Sequence, residues 1–304
     1  MRHISIFILS AIANLIFQGC SGCRSNDNTR LPNESGISTE HTSSAAHTSD
    51  ISDEQTMRRS ENQEEQLYAK SDESFSAANA LVMVRTLEDL SEQILVRKAF
   101  VASYNKDSRC PNWVGWHLTG DHADGPVDRR NDFHEEEEVP TPRAMSSDYK
   151  SSGWSRGHMC PAGDNKWSAE AMFETFSFAN ICPQNTNLNN GLWNSIENDC
   201  RKWARKYGDV FIVCGPVYYN QEHQAIGENK VVVPEAFFKV VLRLAPKPKA
   251  FGFIVKNTDG NRKSDLYYNS IDQVERITGH DFFYELPDDI EDAVESEEPN
   301  IDEW

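Results

Sequence analysis

Apolar positions are sparse at the start of the chain and dense later. From Ser21 to about Ser76 the sequence is Ser, Thr, Asn, Glu, Gln and Asp with almost nothing to bury. Such a segment cannot offset its ordering entropy, so a disordered polar tether is expected over residues 21–80. Near Leu81 the pattern changes. "LVMV" and "QILVRKAFVASY" supply the β-branched and aromatic residues that predict strands. Further strands are predicted at "CPNWVGWHL" (110–118), "DVFIVCGPVYY", "AFFKVVLRL" and "KAFGFIVKN". "SAEAMFETFSFANICPQ" (168–184) predicts a short helix capped at Ser168 and then a strand through Phe178–Cys182.

The most periodic stretch is "NLNNGLWNSIENDCRKWARKYG" (187–208). Leu192, Trp193, Ile196, Cys200, Trp203 and Tyr207 fall within an arc of roughly 100° on a helical wheel, and Gly208 supplies a stop. On its polar side Glu197 and Arg201 are four residues apart and predict an i,i+4 ion pair. Strands before and after two helical segments predict an α+β body around a mixed or antiparallel sheet, occupying residues 81–304.

Composition and charge refine this picture. The formal net charge is -18, but residues 1–92 carry -7 and residues 285–304 carry -10, leaving about -1 for the body. With a Debye length of about 8 Å those distant charges are largely screened from a site in the body, so a polyanionic substrate is not excluded. The first residues, a short basic start and an apolar run ending in "IFQGCSGC", read as a lipoprotein-type signal over 1–20 with Cys20 as the lipid anchor. The implied location is the cell envelope, periplasm or outer membrane, or else the exterior. In an exported protein some of Cys23, Cys110, Cys160, Cys182, Cys200 and Cys214 should pair, and a Cys160–Cys182 bridge is one candidate. The Glu135–Glu138 run is expected to be a solvated loop. His117, His122, His134 and His223 are assigned to packing or to the surface.

The chemistry concentrates in "GWSRGHMCPAGDNKW" (153–167), where Arg156, Gly157 and His158 stand together at the end of an extended segment. A strand follows, and then the helix that opens with Asn189. Strand, strand and helix, with His on the first and Asn on the last, is the ββα-metal arrangement.

"SRGHMCPAGDNKWS", "NICPQNTNLNNGLWNSIE" and "CGPVY", in that order, together resemble the DNA/RNA non-specific endonucleases, as do "PNWV" upstream and "TGHDFF" and "LPDDIE" downstream. The resemblance implies a ββα-metal (His-Me finger) site in a Mg²⁺-dependent endonuclease acting on DNA and RNA and leaving 5′-phosphates, with Mn²⁺ as a possible substitute. It implies His158 as general base and Asn189 as direct metal ligand. Glu197 is implied to organise metal-bound water, and Arg201 and Arg130 to contact the phosphate. Asn180 is placed in the site's neighbourhood, and Arg156 is read as bracing the site through a salt bridge. The family signature begins with Asp where this chain has Ser155, so altered local hydrogen bonding is expected. Two alternatives stay open: a binding protein that kept the scaffold and lost catalysis, and a phosphodiesterase acting on small substrates.

Overall fold

The protein is described by a computed structural model, which covers residues 78–86 and 89–304. The expected 1–20 signal and nearly all of the expected tether lie outside the described residues. In chain order the first strands are β1 (Val84–Thr86), β2 (Gln93–Val96), β3 (Val101–Asn105) and β4 (Cys110–Thr119). A hairpin of β5 (Ser155–His158) and β6 (Ile181–Gln184) brackets helix α1 (Ala169–Glu174). Helix α2 (Asn194–Tyr207) and β7 (Asp209–Val217) follow, then the short β8 (Ala225–Ile226) and β9 (Val231–Val232). The chain continues through β10 (Ala236–Arg243), β11 (Lys249–Lys256), β12 (Tyr268–Asn269), α3 (Ile271–Thr278), β13 (His280–Phe282) and α4 (Asp288–Ser296).

The main sheet runs β12-β11-β10-β7-β4-β3-β2, and each of its ladders is antiparallel. This is the α+β class expected, with the sheet antiparallel rather than mixed. β10 shows why it is central. All eight of its residues are buried, so both faces must be covered. Alternation sends Phe238, Val240 and Leu242 to one core with Phe211, Val213 and Trp113. The opposite parity sends Phe237 and Val241 to a second core with Ile212, Cys214, Trp116 and Trp193. Helices α3 and α4 cover the first face, while α2 lies on the second.

Lys239 shares the parity of Phe237 and Val241, so the pleat drives a lysine into the core beneath α2. The acidic C-terminal segment is also packed rather than trailing. Trp304 sits against Trp203 (5.2 Å) and Phe251 (4.8 Å) between ring centroids, and Arg243 donates to the Glu303 carbonyl at 3.0 Å.

The helix bearing the polar motif departs from a single regular rod. Asn185 caps it, its side chain accepting from the backbone of Asn187 and Leu188. Thr186–Leu188 is α-helical, Asn189–Trp193 is a widened π-type turn, and α2 continues from there. Gly191 takes φ -103° and ψ -106° within that turn. Such π-segments re-aim side chains relative to a regular helix and are frequent at functional sites. Gly208 ends the helix as expected, with φ +92° and its N–H donating to Ala204 O at 2.8 Å.

Candidate active site

β5 and β6 pair antiparallel, with Gly157 opposite Cys182 and His158 opposite Ile181. This close pairing explains Gly157. A Cβ there would meet Gln184 Oε1 at 2.4 Å and Gln184 Cβ at 2.5 Å, and Gln184 is fully buried and cannot retreat. At the first position of the motif, Ser155 Oγ lies 2.8 Å from Thr186 Oγ1, so this side chain ties β5 to the start of the helix.

His158 is buried, and aromatic rings hold it. Phe176 meets its ring edge-on at 5.0 Å and Phe133 tilts against it at 5.4 Å. Its Nε2 is buried and lacks a hydrogen-bond partner. Burial, helped by the charges of Arg129 and Arg156, pushes its pKa down to about 3. The imidazole is therefore neutral at neutral pH and able to accept a proton. The loop after it is clamped by Asn180, whose Oδ1 accepts from Cys160 N (2.8 Å) and whose Nδ2 donates to Cys160 O and Thr175 O (2.8 Å each). Asn180 is fully buried and its amide is spent on this brace, so it positions the loop and offers nothing to a substrate.

Arg156 stacks its guanidinium 4.0 Å from the Phe133 ring centroid and reaches Ser146 Oγ at 3.4 Å. Among the described residues Arg156 makes no salt bridge; a cation–π contact stands in the place expected of one. Of the adjacent arginines 129 and 130, the structure brings Arg129 to the site. It lies 5.6 Å from the Phe176 ring centroid, and its charge acts on both His158 and Glu197. Arg130 is exposed and makes no hydrogen bond or ion pair among the described residues. Both arginines lie in an irregular loop, where no periodicity marks which of two neighbours faces inward.

Arg201 does not pair with Glu197 as the i,i+4 spacing predicts. Its guanidinium turns to Asp164 Oδ1 at 2.6 Å and to Asn198 Oδ1 at 3.0 Å. Asp164, in the loop after His158, also accepts from Trp116 Nε1 at 3.1 Å. A nearly sealed carboxylate of this kind demands a counter-charge, and Arg201 supplies it. Glu197 is left half-buried, with no hydrogen bond or ion pair among the described residues. Burial raises its pKa to about 7; Lys239, Arg201 and Arg129 oppose the rise and Asp164 adds to it.

Lys239 sits beneath this group, 1% exposed, with its ammonium 4.8 Å from the Trp116 ring centroid and 4.6 Å from that of Trp193. Burial works against its charge, yet Cys214, Cys200, Glu197 and Asp164 hold its pKa above the ordinary lysine value. The two thiols are themselves pushed up to about 12 and are neutral at neutral pH, so the carboxylates are what stabilise the ammonium. Lys239 and Asp164 went unnoticed in the sequence. A lysine at an inward parity of "AFFKVVLRL" is the signal that marks the first.

Asn189 is half-exposed in the widened turn, and its side-chain amide makes no hydrogen bond among the described residues. Whether these groups suit a divalent cation is decided by their chemistry. Asn189 offers a neutral oxygen, Glu197 is a carboxyl with no hydrogen bond or ion pair among the described residues, and His158 is neutral. Hard oxygen donors in small number suit an ion that keeps most of its waters, as Mg²⁺ does. Among the described residues, the clusters of three acidic ligands within 4.8 Å lie elsewhere, on Asp272, Glu275, Asp281, Glu291 and Glu295.

The described cysteines correct another expectation. Cys110, Cys160, Cys182, Cys200 and Cys214 are all buried free thiols, so the Cys160–Cys182 bridge is not formed. Asn165 Nδ2 donates to Cys160 Sγ at 3.3 Å, and Cys160 acts as a packed core residue. The glutamate run is also less free than expected. Glu136 binds Arg97 at 3.0 Å and accepts from Ser177 Oγ, and Glu135 binds Arg143 at 3.0 Å. The four histidines assigned to packing or the surface are held by contacts outside this cluster: His117 to Asp209 (2.6 Å), His122 on Trp167, His134 on Phe173 and His223 to Glu235 (2.9 Å).

A family model described as DNA/RNA non-specific endonuclease matches residues 77–289. The chain belongs to that family. Among its relatives, the mitochondrial nuclease EXOG of Mus musculus is 41% identical over 202 residues, which is 60% of this chain and 55% of that protein. Mitochondrial endonuclease G of Homo sapiens is 35% identical over 161 residues, covering 49% of this chain and 54% of that protein. The chain thus spans about half the length of these family members. Nuclease C1 of Cunninghamella echinulata var. echinulata is 35% identical over 215 residues, 64% of this chain and 84% of that protein. A solved structure of an EndoG/EndoGI complex superimposes with a TM-score of 0.60 at 27% identity, covering 64% of this chain and 87% of that one.

These relatives overturn the location inferred from the N-terminus. EXOG and endonuclease G are named as mitochondrial proteins, against a cell-envelope lipoprotein anchored through Cys20. The lipoprotein expectation rested on a basic start, a short apolar run and a cysteine, a pattern of composition alone. The expectation of disulfides rests on that same inferred export, and the described cysteines are free thiols.

Proposed function

We propose that this protein is a divalent-cation-dependent endonuclease that hydrolyses phosphodiester bonds in DNA and RNA with little sequence preference, leaving 5′-phosphates. The observation that carries the proposal is the cluster on one finger: a neutral, ring-clamped His158 beside Arg129 and Arg156, with Glu197, braced Arg201 and free Asn189 on the following helix. Family membership supports it, as do the nuclease names of the relatives. Mg²⁺ is the proposed ion, with Mn²⁺ as a substitute.

Phosphodiester hydrolysis needs an activated water and stabilisation of the charge on phosphate. Asn189 would hold the cation, which when bound supplies charge neutralisation at the phosphate and at the departing oxygen. His158 takes the proton from the attacking water. Its low pKa keeps it unprotonated, and Phe133 and Phe176 fix its direction. Glu197 orders water beside it. Arg129, in place of Arg130, and Arg201 present planar guanidinium donors suited to phosphate oxygens. Asp164 holds Arg201 in place, and Lys239 balances the two carboxylates from below.

The test is cleavage of supercoiled plasmid and of RNA by the purified protein, with Mg²⁺ and with EDTA. Both substrates should be cut only with the metal. Cleavage undiminished by EDTA, or intact substrate under both conditions, contradicts the proposal.

A further inference from the structure

A groove of about 740 Å³ opens beside the helix segment that carries Asn189. One wall is Leu192 and Ser195, just beyond that residue. The other is the loop after β11, which contributes Asn261, Arg262, Lys263 and Ser264. We propose that this groove is a second binding site for the sugar–phosphate backbone of a nucleic-acid strand, holding phosphates that flank the one being cut. It rests on the nuclease reading above and extends it to residues that the family motifs do not include.

Three observations carry it. The loop is anchored to the active-site elements. Asn257 Oδ1 accepts from Asn185 N at 2.7 Å, and Asn257 Nδ2 donates to Pro183 O (3.0 Å) and Pro234 O (2.8 Å). Asn187 Nδ2 adds a bond to Asp259 Oδ1 at 3.0 Å. A ligand held by the loop is therefore held in fixed relation to β6 and to the turn bearing Asn189. The loop is also braced within itself. Asn261 Nδ2 donates to Lys256 O (3.4 Å) and Thr258 O (2.7 Å), while Arg262 N donates to the Tyr267 hydroxyl at 2.9 Å.

Its charge is unspent as well. The side chains of Arg262 and Lys263 are exposed and make no hydrogen bond or ion pair among the described residues. The loop's Asp259 accepts from Asn187, and Glu297 and Glu303 of the acidic C-terminal segment are paired with Lys249. From the acidic C-terminal segment the groove receives only Ile301. Two cations unpaired among the described residues, on a braced loop next to the proposed cleavage site, form a positioning contact of the kind that ignores sequence.

The experiment is fluorescence anisotropy of a labelled DNA duplex with the full chain in EDTA, over a series of salt concentrations. It compares wild type, Arg262→Ala/Lys263→Ala, and a control that removes two exposed cations elsewhere, Lys106→Ala/Arg276→Ala. Loss of two phosphate contacts should weaken binding roughly tenfold and flatten the slope of log K against log[salt] by about 2. The control should match wild type, and all three should melt together. Unchanged affinity and slope in the Arg262/Lys263 variant would overturn the groove, as would an equal loss in the control. If wild type neither binds duplex nor cuts plasmid with Mg²⁺, the nuclease reading fails too; if it cuts and the variant binds normally, only the groove fails.

Discussion

His158→Ala should lower phosphodiester hydrolysis at neutral pH by roughly 10²–10⁴-fold, the usual contribution of a positioned general base. The reason lies in the environment of the ring. Burial between Phe133 and Phe176, with Arg129 and Arg156 adjacent, lowers its pKa to about 3 against about 6.5 for a free histidine. The neutral base is therefore present throughout the neutral range.

The same shift has a signature in stability. Between pH 6.5 and 3 the unfolded chain binds a proton at His158 that the folded chain does not, so stability rises with pH across that window and is lost as pH falls through it. From pH 7 to pH 5 this group should cost wild type about 2 kcal/mol, a loss that His158→Ala should not show. Urea denaturation of both proteins at the two pH values measures the difference. A variant that keeps wild-type turnover, or that loses the same stability on acidification, contradicts the role.

Asp164→Ala should destabilise the protein by about 3–5 kcal/mol, the range for breaking one side of a buried ion pair. Asp164 is sealed, with 1% of its side chain exposed, while Arg201 retains 13%. Removing the carboxylate strands the guanidinium, orphans the Trp116 indole N–H and leaves Lys239 facing only Glu197. Denaturant titration gives the energy. A loss under about 1 kcal/mol would mean that water takes over the role of Asp164, and that Arg201 is not held in place by it.

Much of this was legible in the sequence because its signals are local. Apolar runs rich in β-branched and aromatic residues marked β4, β7, β10 and β11, the helical stripe from Leu192 to Tyr207 marked the segment containing α2, and Ser168 and Gly208 marked helix ends. The finger itself could be read from "SRGH", "NICPQ" and the helix after them. The partners of its charges could not. Spacing along one helix paired Arg201 with Glu197, but folding the His158 loop against that helix delivers Asp164, a stronger partner because it is buried. Arg129 and Arg130 are adjacent in sequence and differ only in where an irregular loop aims them. Lys239 is 38 residues beyond Arg201 and reaches the site only because the sheet alternates. The π-type turn at Asn189–Trp193, with Gly191 outside helical φ/ψ and Trp193 fully buried, leaves no signal in the helical stripe.

The central claim is that His158 and the amide of Asn189 serve one divalent ion and one phosphate. Crystals soaked in Mn²⁺ and measured for anomalous scattering test it directly. The account predicts a peak bonded to Asn189 Oδ1. A peak confined to the acidic cluster of Asp272, Glu275 and Glu295, with none at Asn189, would contradict it.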